Sequence, residues 1–212
     1  MLQFEKLQKQ YGSFTALDIE SFAINNGIVG LQGENGSGKT TLLKTMAGLL
    51  PFKGDIILNN IFSIKKQRQQ YLQSVNYGET EPLYPAFLTG KELVNLYCHA
   101  KKGNLQQAED MLQQLHVFDA YNNAVATYSS GMVKKLSLVL AFIGNPKWIL
   151  LDEPLVAVDV ASVETVCAII KTKHEKEGIS FLITSHQAFY AGQLSFTSSL
   201  LATERTIKIV GS

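Results

Sequence analysis

The glycine-rich segment from Gly33 to Thr41 constrains the fold of this chain more than any other feature of its sequence. It reads Gly-Glu-Asn-Gly-Ser-Gly-Lys-Thr-Thr and fits the phosphate-loop pattern G-x-x-x-x-G-K-[ST] at every fixed position. The apolar run 28–32 predicts a short buried strand before it, and the residues from Lys39 onward predict a helix after it. Such a unit binds the phosphates of a nucleoside triphosphate, because glycines let successive backbone N–H groups converge on one anion.

The side chains of this loop have separate expected roles in binding a nucleotide. Lys39 is expected to reach the β- and γ-phosphates, and the Thr40 hydroxyl is expected to ligate Mg²⁺. A glycine-rich turn with a chance lysine is the alternative, which the flanking strand and helix disfavour. The predicted nucleotide-binding residues of the loop are Gly33, Glu34, Asn35, Gly36, Ser37, Gly38, Lys39, Thr40 and Thr41.

The composition of the chain excludes several classes of protein. Its formal net charge of +1 argues against an electrostatic nucleic-acid binder. No apolar run is long enough to cross a bilayer, and the N-terminus shows no signal-peptide pattern, so we expect no direct membrane insertion. Cys98 and Cys167 lack metal-ligand spacing and are expected to be reduced thiols.

The hydrophobic periodicity changes twice along the 212 residues. Alternating residues at the N-terminal side predict strands, including a hairpin at Asn59-Asn60, where paired asparagines suit a turn with positive φ. From about Phe87 to Gly144 the spacing is helical, with apolar residues at 93, 96, 97 and 100 and again at 105, 108, 112 and 115. The runs 148–151 and 181–184 then flank a predicted helix, Ala161–Lys176, a pattern typical of a parallel sheet.

These patterns predict an α/β fold in a single domain spanning 1–212. Residues 1–86 and 145–212 are expected to form a nucleotide-binding core with a mainly parallel sheet and an antiparallel β subdomain at the N-terminal side. Residues 87–144 are expected to form a helical insert.

Two carboxylates follow the predicted buried strand 149–151. In an open α/β sheet the carboxyl ends of the strands border the ligand site. Asp152 is therefore expected to hold Mg²⁺ together with Thr40, and Glu153 is expected to orient and deprotonate an attacking water. Any strand can end in acidic residues, so the prediction depends on the phosphate loop upstream.

Together these elements resemble the ATP-binding subunit of an ABC transporter, from about Tyr11 to His186. The segment Tyr128–Met132, Tyr-Ser-Ser-Gly-Met, stands where that family carries its signature, just ahead of a predicted helix. In the family this element caps the γ-phosphate of an ATP held by the opposite subunit. The resemblance thereby implies a nucleotide-binding role for Ser129, Ser130 and Gly131; a plain helix cap is the alternative.

The resemblance extends to three further residues. Tyr11 stands at the position of the aromatic that stacks on adenine, although a surface tyrosine is the alternative. The segment Val158-Asp159 resembles the family's loop that communicates between the two subunits. His186 matches the switch histidine that contacts the γ-phosphate and water.

The sequence departs from the family pattern at two places. The signature reads Ser-Gly-Met rather than Gly-Gly-Gln, a variant familiar among exporters whose permease is a separate chain. The glutamine expected after the strand Val75-Asn76-Tyr77 is absent, and Glu79 or Thr80 stands there. If Glu79 fills the position, its carboxylate can ligate Mg²⁺.

The resemblance implies a P-loop NTPase (RecA-like) core that hydrolyses ATP with Mg²⁺ as a homodimer, or paired with a paralogous subunit. The dimer would drive an integral membrane permease, in the direction of export, from the cytoplasmic face of the membrane. Three alternatives are an ATP-binding module with little turnover, a soluble ABC protein acting on ribosomes or DNA, and a small-molecule kinase. Nothing in the sequence identifies the cargo.

Overall fold

A computed structural model of the protein describes residues 1–185 and 194–211. Within these residues it has ten β-strands in two sheets and six α-helices. The strands are β1 (Leu2–Tyr11), β2 (Phe14–Ile24), β3 (Ile28–Gln32), β4 (Lys53–Leu58), β5 (Phe62–Ser63), β6 (Val75–Gly78), β7 (Trp148–Leu151), β8 (Ser180–Thr184), β9 (Ser198–Thr203) and β10 (Thr206–Gly211). The helices are α1 (Lys39–Met46), α2 (Arg68–Ser74), α3 (Gly90–Lys101), α4 (Leu105–Gln114), α5 (Ser130–Phe142) and α6 (Val160–Glu177).

The smaller sheet is antiparallel and lies at the N-terminal side, as predicted. Its strand order is β2-β1-β4-β5. The β4–β5 hairpin turns at Asn59 and Asn60, whose φ angles of 52° and 57° confirm the predicted positive-φ turn. At the far end of the sheet, Tyr11 pairs with Phe14 across the β1–β2 turn, so two aromatic residues flank that turn.

The larger sheet has the order β10-β9-β3-β8-β7-β6, and its pairs are parallel except for β10 with β9. Leu31 near the end of β3 pairs with Thr184 at the end of β8. Gly78 at the end of β6 likewise pairs with Leu151 at the end of β7. These four strands therefore end at one edge of the sheet, and the segments after β3, β6 and β7 carry most of the predicted site residues.

Strand β7 shows why the central strands are continuously apolar. Trp148 and Leu150 pack into the cluster shared with the antiparallel sheet, whereas Ile149 and Leu151 pack into the cluster beneath the helices. All four residues are fully buried. A strand covered on both faces has no place for a charged side chain. The first carboxylate, Asp152, therefore comes directly after the strand ends.

Helices α3, α4 and α5 fall within the predicted helical insert, whose exact boundaries stay a prediction. The buried stripe of α3 is offset from the predicted one: Leu93, Val94, Tyr97 and Cys98 pack on the core, whereas Leu96 is 57% exposed. The residues 93, 94, 97 and 98 also share one helical face, so the period was right and the direction of the face was not.

Two other expectations concern the whole chain. Neither Cys98 nor Cys167 is in a disulfide, and both are at least partly buried. Among the described residues, no helix is long and apolar enough to cross a membrane.

Candidate active site

The phosphate loop has the conformation that its glycines predict. Gly33, Gly36 and Gly38 all have positive φ, at 149°, 81° and 99°. A Cβ at Gly33 would lie 2.6 Å from Ser37 Oγ and 2.7 Å from the Ala202 carbonyl, so a larger residue does not fit there. Gly38 precedes the first turn of α1 and provides no side-chain cap, which leaves backbone N–H groups at the helix start for an anion.

Two polar groups in this loop fit a phosphate ligand. The Lys39 ammonium donates to the carbonyls of Gly33 and Glu34 at 2.7 and 2.9 Å, so it lies across the loop. Burial lowers the pKa of Lys39, and the nearby Glu153 and Asp152 carboxylates act in the opposite direction. The Ser37 hydroxyl oxygen is buried without a hydrogen-bond partner among the described residues. A bound phosphate would supply acceptors for these groups.

A cavity of about 220 Å³ opens beside the loop. Tyr11 and Phe14, which are 48% and 58% exposed, are among its lining residues. Lys9 Nζ lies 4.5 Å from the centroid of the Tyr11 ring. An exposed aromatic pair next to a phosphate loop can stack on a purine base. The remaining lining residues are Ala16, Asn35, Gly36, Gly38, Lys39, Thr40, Thr41 and Glu153.

Asp152 is held in place by hydrogen bonds. It is 1% exposed, and Thr184 Oγ1 donates to its Oδ1 at 2.6 Å. The Tyr77 hydroxyl lies 3.5 Å from Oδ2, and the neighbouring carboxylate raises the pKa of Tyr77 in addition to the effect of burial. The Asp152 carboxylate is thus fixed at the edge of the sheet where α1, the helix that carries Thr40, begins.

Glu153 lines the same cavity as Thr40 and Lys39. Its backbone N–H donates to Thr184 Oγ1 at 2.9 Å, and its φ of 46° is in the left-handed region. This conformation costs a non-glycine residue on the order of 1 kcal/mol, and such strain is concentrated at functional sites. The turn directs Glu153 into the phosphate cavity, whereas Asp152 remains buried at the end of β7.

The signature residues lie elsewhere on the surface of the chain. Ser129 caps α5 by accepting a hydrogen bond from the Met132 N–H at 3.2 Å, and Ser129 and Ser130 are both exposed. Ser129, Ser130 and Gly131 are not among the described residues that line the phosphate cavity. The start of this helix is therefore open to a second molecule.

Asp159 caps α6 and also pairs with Lys135 of α5, with Lys135 Nζ at 2.6 Å from Asp159 Oδ2. The hydrogen bonds from Lys135 and from the Ser162 N–H hold the pKa of Asp159 well below its usual range. This pair ties the segment after Glu153 to the signature helix within one chain.

The segment that lacks the expected glutamine follows β6. The Glu79 carboxylate lies 3.7 Å from Lys44, one turn past Thr40 on α1. The Thr80 hydroxyl instead donates to the Asp152 carbonyl at 3.1 Å. Of the two alternatives, Glu79 is therefore the residue whose side chain faces α1. A metal-binding role for Glu79 stays a prediction, and His186 lies outside the described residues.

The sequence model of the family described as "ABC transporter" matches residues 17–156, which include the phosphate loop, the signature and both acidic residues. The chain belongs to the ABC transporter family. The cytochrome c biogenesis ATP-binding export protein CcmA of Histophilus somni is 31% identical over 91% of this chain and 90% of that protein.

Other ABC relatives are longer than this chain. The uncharacterized ABC transporter ATP-binding protein YdbJ of Bacillus subtilis is 30% identical over 88% of this chain, but the match spans only 61% of YdbJ. Relatives also include proteins named for import. Among solved structures, a dimeric ATP-binding cassette in a post-hydrolysis state with ADP and Pi is 18% identical and has a TM-score of 0.85, covering 100% of this chain and 98% of that one. The fold is that of an ABC ATPase cassette.

The sequence interpretation of this ABC cassette missed three residues near the site. Phe14 was detectable, because an aromatic on each side of a Gly12-Ser13 turn places both rings at one end of a hairpin. Lys134 lies on the buried stripe of α5, and a lysine at such a position indicates an internal partner. Thr184 gave no local signal, since its contact with Asp152 depends on how two strands align.

Proposed function

We propose that this ABC cassette hydrolyses ATP in a dimer and thereby drives export through a separate membrane permease. The observation that carries the proposal is the separation of two half-sites in one chain. The phosphate loop and Glu153 share one cavity, whereas the exposed start of α5 at Ser129 and Ser130 lies outside it. Two chains arranged head to tail can complete both sites.

Mg²⁺ is proposed to bind with the nucleotide. Thr40 and Asp152 are its proposed ligands, and Glu79 is an additional candidate. Among the described residues no three His, Cys, Asp or Glu side chains cluster as a metal site. A hydroxyl and one or two carboxylates suit Mg²⁺, which binds through such ligands together with substrate phosphates. When bound, it neutralises charge on the phosphates during transfer.

Hydrolysis is proposed to use Glu153 as the base. Its position in the phosphate cavity suits a carboxylate that accepts a hydrogen bond from water and then takes its proton. Lys39 is proposed to leave the Gly33 and Glu34 carbonyls and to bind the β- and γ-phosphates. His186 is proposed to assist at the γ-phosphate.

The signature is proposed to bind the nucleotide of the second chain. The N–H groups of Ser130 and Gly131 are at the start of α5, where the partial positive charge of a helix attracts a γ-phosphate. Asp159 adjoins this site through its pair with Lys135. The second chain is proposed to be another copy of this protein or a paralogous subunit.

Export as the direction of transport is supported by the Ser-Gly-Met signature and by the name of the relative CcmA. The relatives named for import weigh against it. The chain supplies no feature that identifies the cargo. The proposed location is the cytoplasmic face of a membrane, through the permease.

Substitution of Ser130 by Glu tests the dimer. We expect Ser130→Glu to lower steady-state ATP turnover at least about 100-fold, because its carboxylate faces the γ-phosphate of the partner's ATP. Binding of a fluorescent ATP analogue to the isolated chain should change by less than about three-fold, since Ser130 is outside that chain's own phosphate cavity. Turnover is measured at saturating Mg-ATP, and analogue binding is measured by equilibrium titration in Mg²⁺ without added ATP.

Gln107→Glu is the matched control, because Gln107 is an exposed residue in the first turn of the neighbouring helix α4. A carboxylate at the start of either helix is favourable for folding, so neither variant should lose stability. Full turnover by Ser130→Glu, or equal loss in both variants, would contradict the head-to-tail arrangement.

A second experiment tests the permease. Expressed alone, the chain should not bind protein-free liposomes, because the described helices offer no span and the sequence offers no basic amphipathic helix. Co-expression with the protein from the adjacent reading frame should move it to the membrane fraction if that protein has several apolar helices. Tight binding to protein-free liposomes, or no shift with such a partner, would contradict a permease-docked subunit.

A further inference from the structure

Lys134 is a buried lysine that none of the roles above uses. It is on α5, one turn past Ser130, and is only 3% exposed. Its ammonium donates to three backbone carbonyls: Glu79 at 2.7 Å, Thr80 at 3.0 Å and Asp152 at 3.3 Å. An ammonium has three N–H donors, so all of them have a partner in this arrangement.

The three carbonyls belong to two different loops at the edge of the main sheet. Glu79 and Thr80 follow β6, and Asp152 follows β7. The Thr80 hydroxyl also donates to the Asp152 carbonyl, which therefore accepts two hydrogen bonds. Both loops are thus attached to one side chain of the signature helix.

Four carboxylates lie near enough to this ammonium to affect its pKa. Burial lowers the pKa of Lys134 to about 8, while the carboxylates of Asp152, Glu153, Glu79 and Glu81 act to raise it. A charged lysine in this place offsets the negative charge that converges on the proposed Mg²⁺ site. Without this ammonium the Glu79 and Thr80 carbonyls would lose that donor and the Asp152 carbonyl would keep only the Thr80 hydroxyl, which is unfavourable unless the loops move.

We infer that Lys134 is a positioning residue, which fixes the backbone of Asp152 and of Glu79–Thr80 relative to the signature helix. This inference rests on the proposed function. The signature end of α5 meets the ATP of the partner chain, and Lys134 connects that helix to the metal-binding loops of its own chain. Occupation of one ATP site is thereby coupled to the geometry of the other.

The test uses the full chain with Glu153→Gln, in which turnover is blocked, and adds Lys134→Met. Dimerisation in Mg-ATP is measured by analytical ultracentrifugation over a range of protein concentrations. We expect Lys134→Met to raise the concentration needed for half-dimerisation about ten-fold, the size of a typical coupling between sites. Lys134→Arg, which keeps the charge and the donors, should restore at least part of this loss.

Lys101→Met is the matched control. Lys101 is also largely buried, its pKa is likewise lowered to about 8 by burial, and its ammonium donates to the carbonyls of Leu72 and Val75. Leu72 is in α2 and Val75 begins β6, so both carbonyls are on the side of that strand opposite Glu79. Lys101→Met should lower the melting temperature about as much as Lys134→Met but leave dimerisation unchanged.

Thr80→Val is a milder variant for the case in which Lys134→Met does not fold. It removes only the hydroxyl donor to the Asp152 carbonyl and should weaken dimerisation in the same direction by a smaller factor. Equal weakening by Lys134→Met and Lys101→Met, or none by Lys134→Met and Thr80→Val, would overturn the inference.

Failure of the proposed function gives a different result. In that case the Glu153→Gln parent does not dimerise in Mg-ATP, whatever residue stands at 134. Lys134 is then tested in the monomer by the affinity for the ATP analogue in Mg²⁺ divided by its affinity without Mg²⁺. A fall of this ratio by about ten-fold in Lys134→Met supports the inference, and an unchanged ratio overturns it.

Discussion

Replacement of Lys39 by Ala is expected to abolish nucleotide binding to the isolated chain. The Lys39 ammonium lies across the loop, where it contacts the Gly33 and Glu34 carbonyls. From this position it can reach the β- and γ-phosphates. The loss of two charge-assisted hydrogen bonds to phosphate removes about 3 kcal/mol, which corresponds to an affinity at least about 100-fold lower. Equilibrium titration with a fluorescent ATP analogue measures this difference.

The fold should tolerate this change. Lys39 donates to the carbonyls of Gly33 and Glu34, so its removal leaves two acceptors that water can reach through the open cavity. Lys44→Ala is the control, since Lys44 is on the same helix and pairs with Glu79 rather than lining the cavity. Unchanged affinity in Lys39→Ala, or equal loss in Lys44→Ala, would overturn the assignment of the phosphate loop.

The parts of this site that lie within one continuous segment of the chain could be predicted from the sequence. The loop from Gly33 to Thr41 is one continuous segment between a strand and a helix, so its glycine spacing and those flanking elements predict its shape. The buried strand before Asp152 was likewise predictable, because a strand packed on both faces needs an unbroken apolar run. The βαβ pattern around Ala161–Lys176 is confirmed by α6 between β7 and β8.

The supporting contacts depend on the alignment of segments that are distant in sequence. Thr184 meets Asp152 because β8 pairs with β7, and Lys134 meets Glu79 because α5 packs beside β6. Periodicity predicted a helical face for α3, yet not that Leu96 would face solvent. The direction of a helical face depends on its neighbours, and the sequence of one helix does not contain them.

Replacement of Glu153 by Gln should separate binding from turnover. The amide keeps the size of the side chain but cannot take a proton from water, so we expect turnover to fall at least about 100-fold. Binding of ATP to the phosphate loop should change little, because Lys39 and the loop backbone remain. The backbone N–H of residue 153 would still donate to Thr184, so the turn after β7 should be preserved.

With hydrolysis blocked, bound ATP should persist and hold two chains together. Size-exclusion chromatography of Glu153→Gln should show a dimer in Mg-ATP that wild type does not accumulate, and the dimer should disappear in Mg-ADP. Glu164→Gln is the control for loss of a carboxylate, because Glu164 is exposed on α6; it should behave as wild type. A Glu153→Gln chain that stays monomeric at high concentration with every phosphate loop occupied would contradict the two-chain site. Retained turnover in the variant would instead mean that another group takes the proton, which would remove Glu153 from the proposed chemistry while leaving the phosphate loop in place.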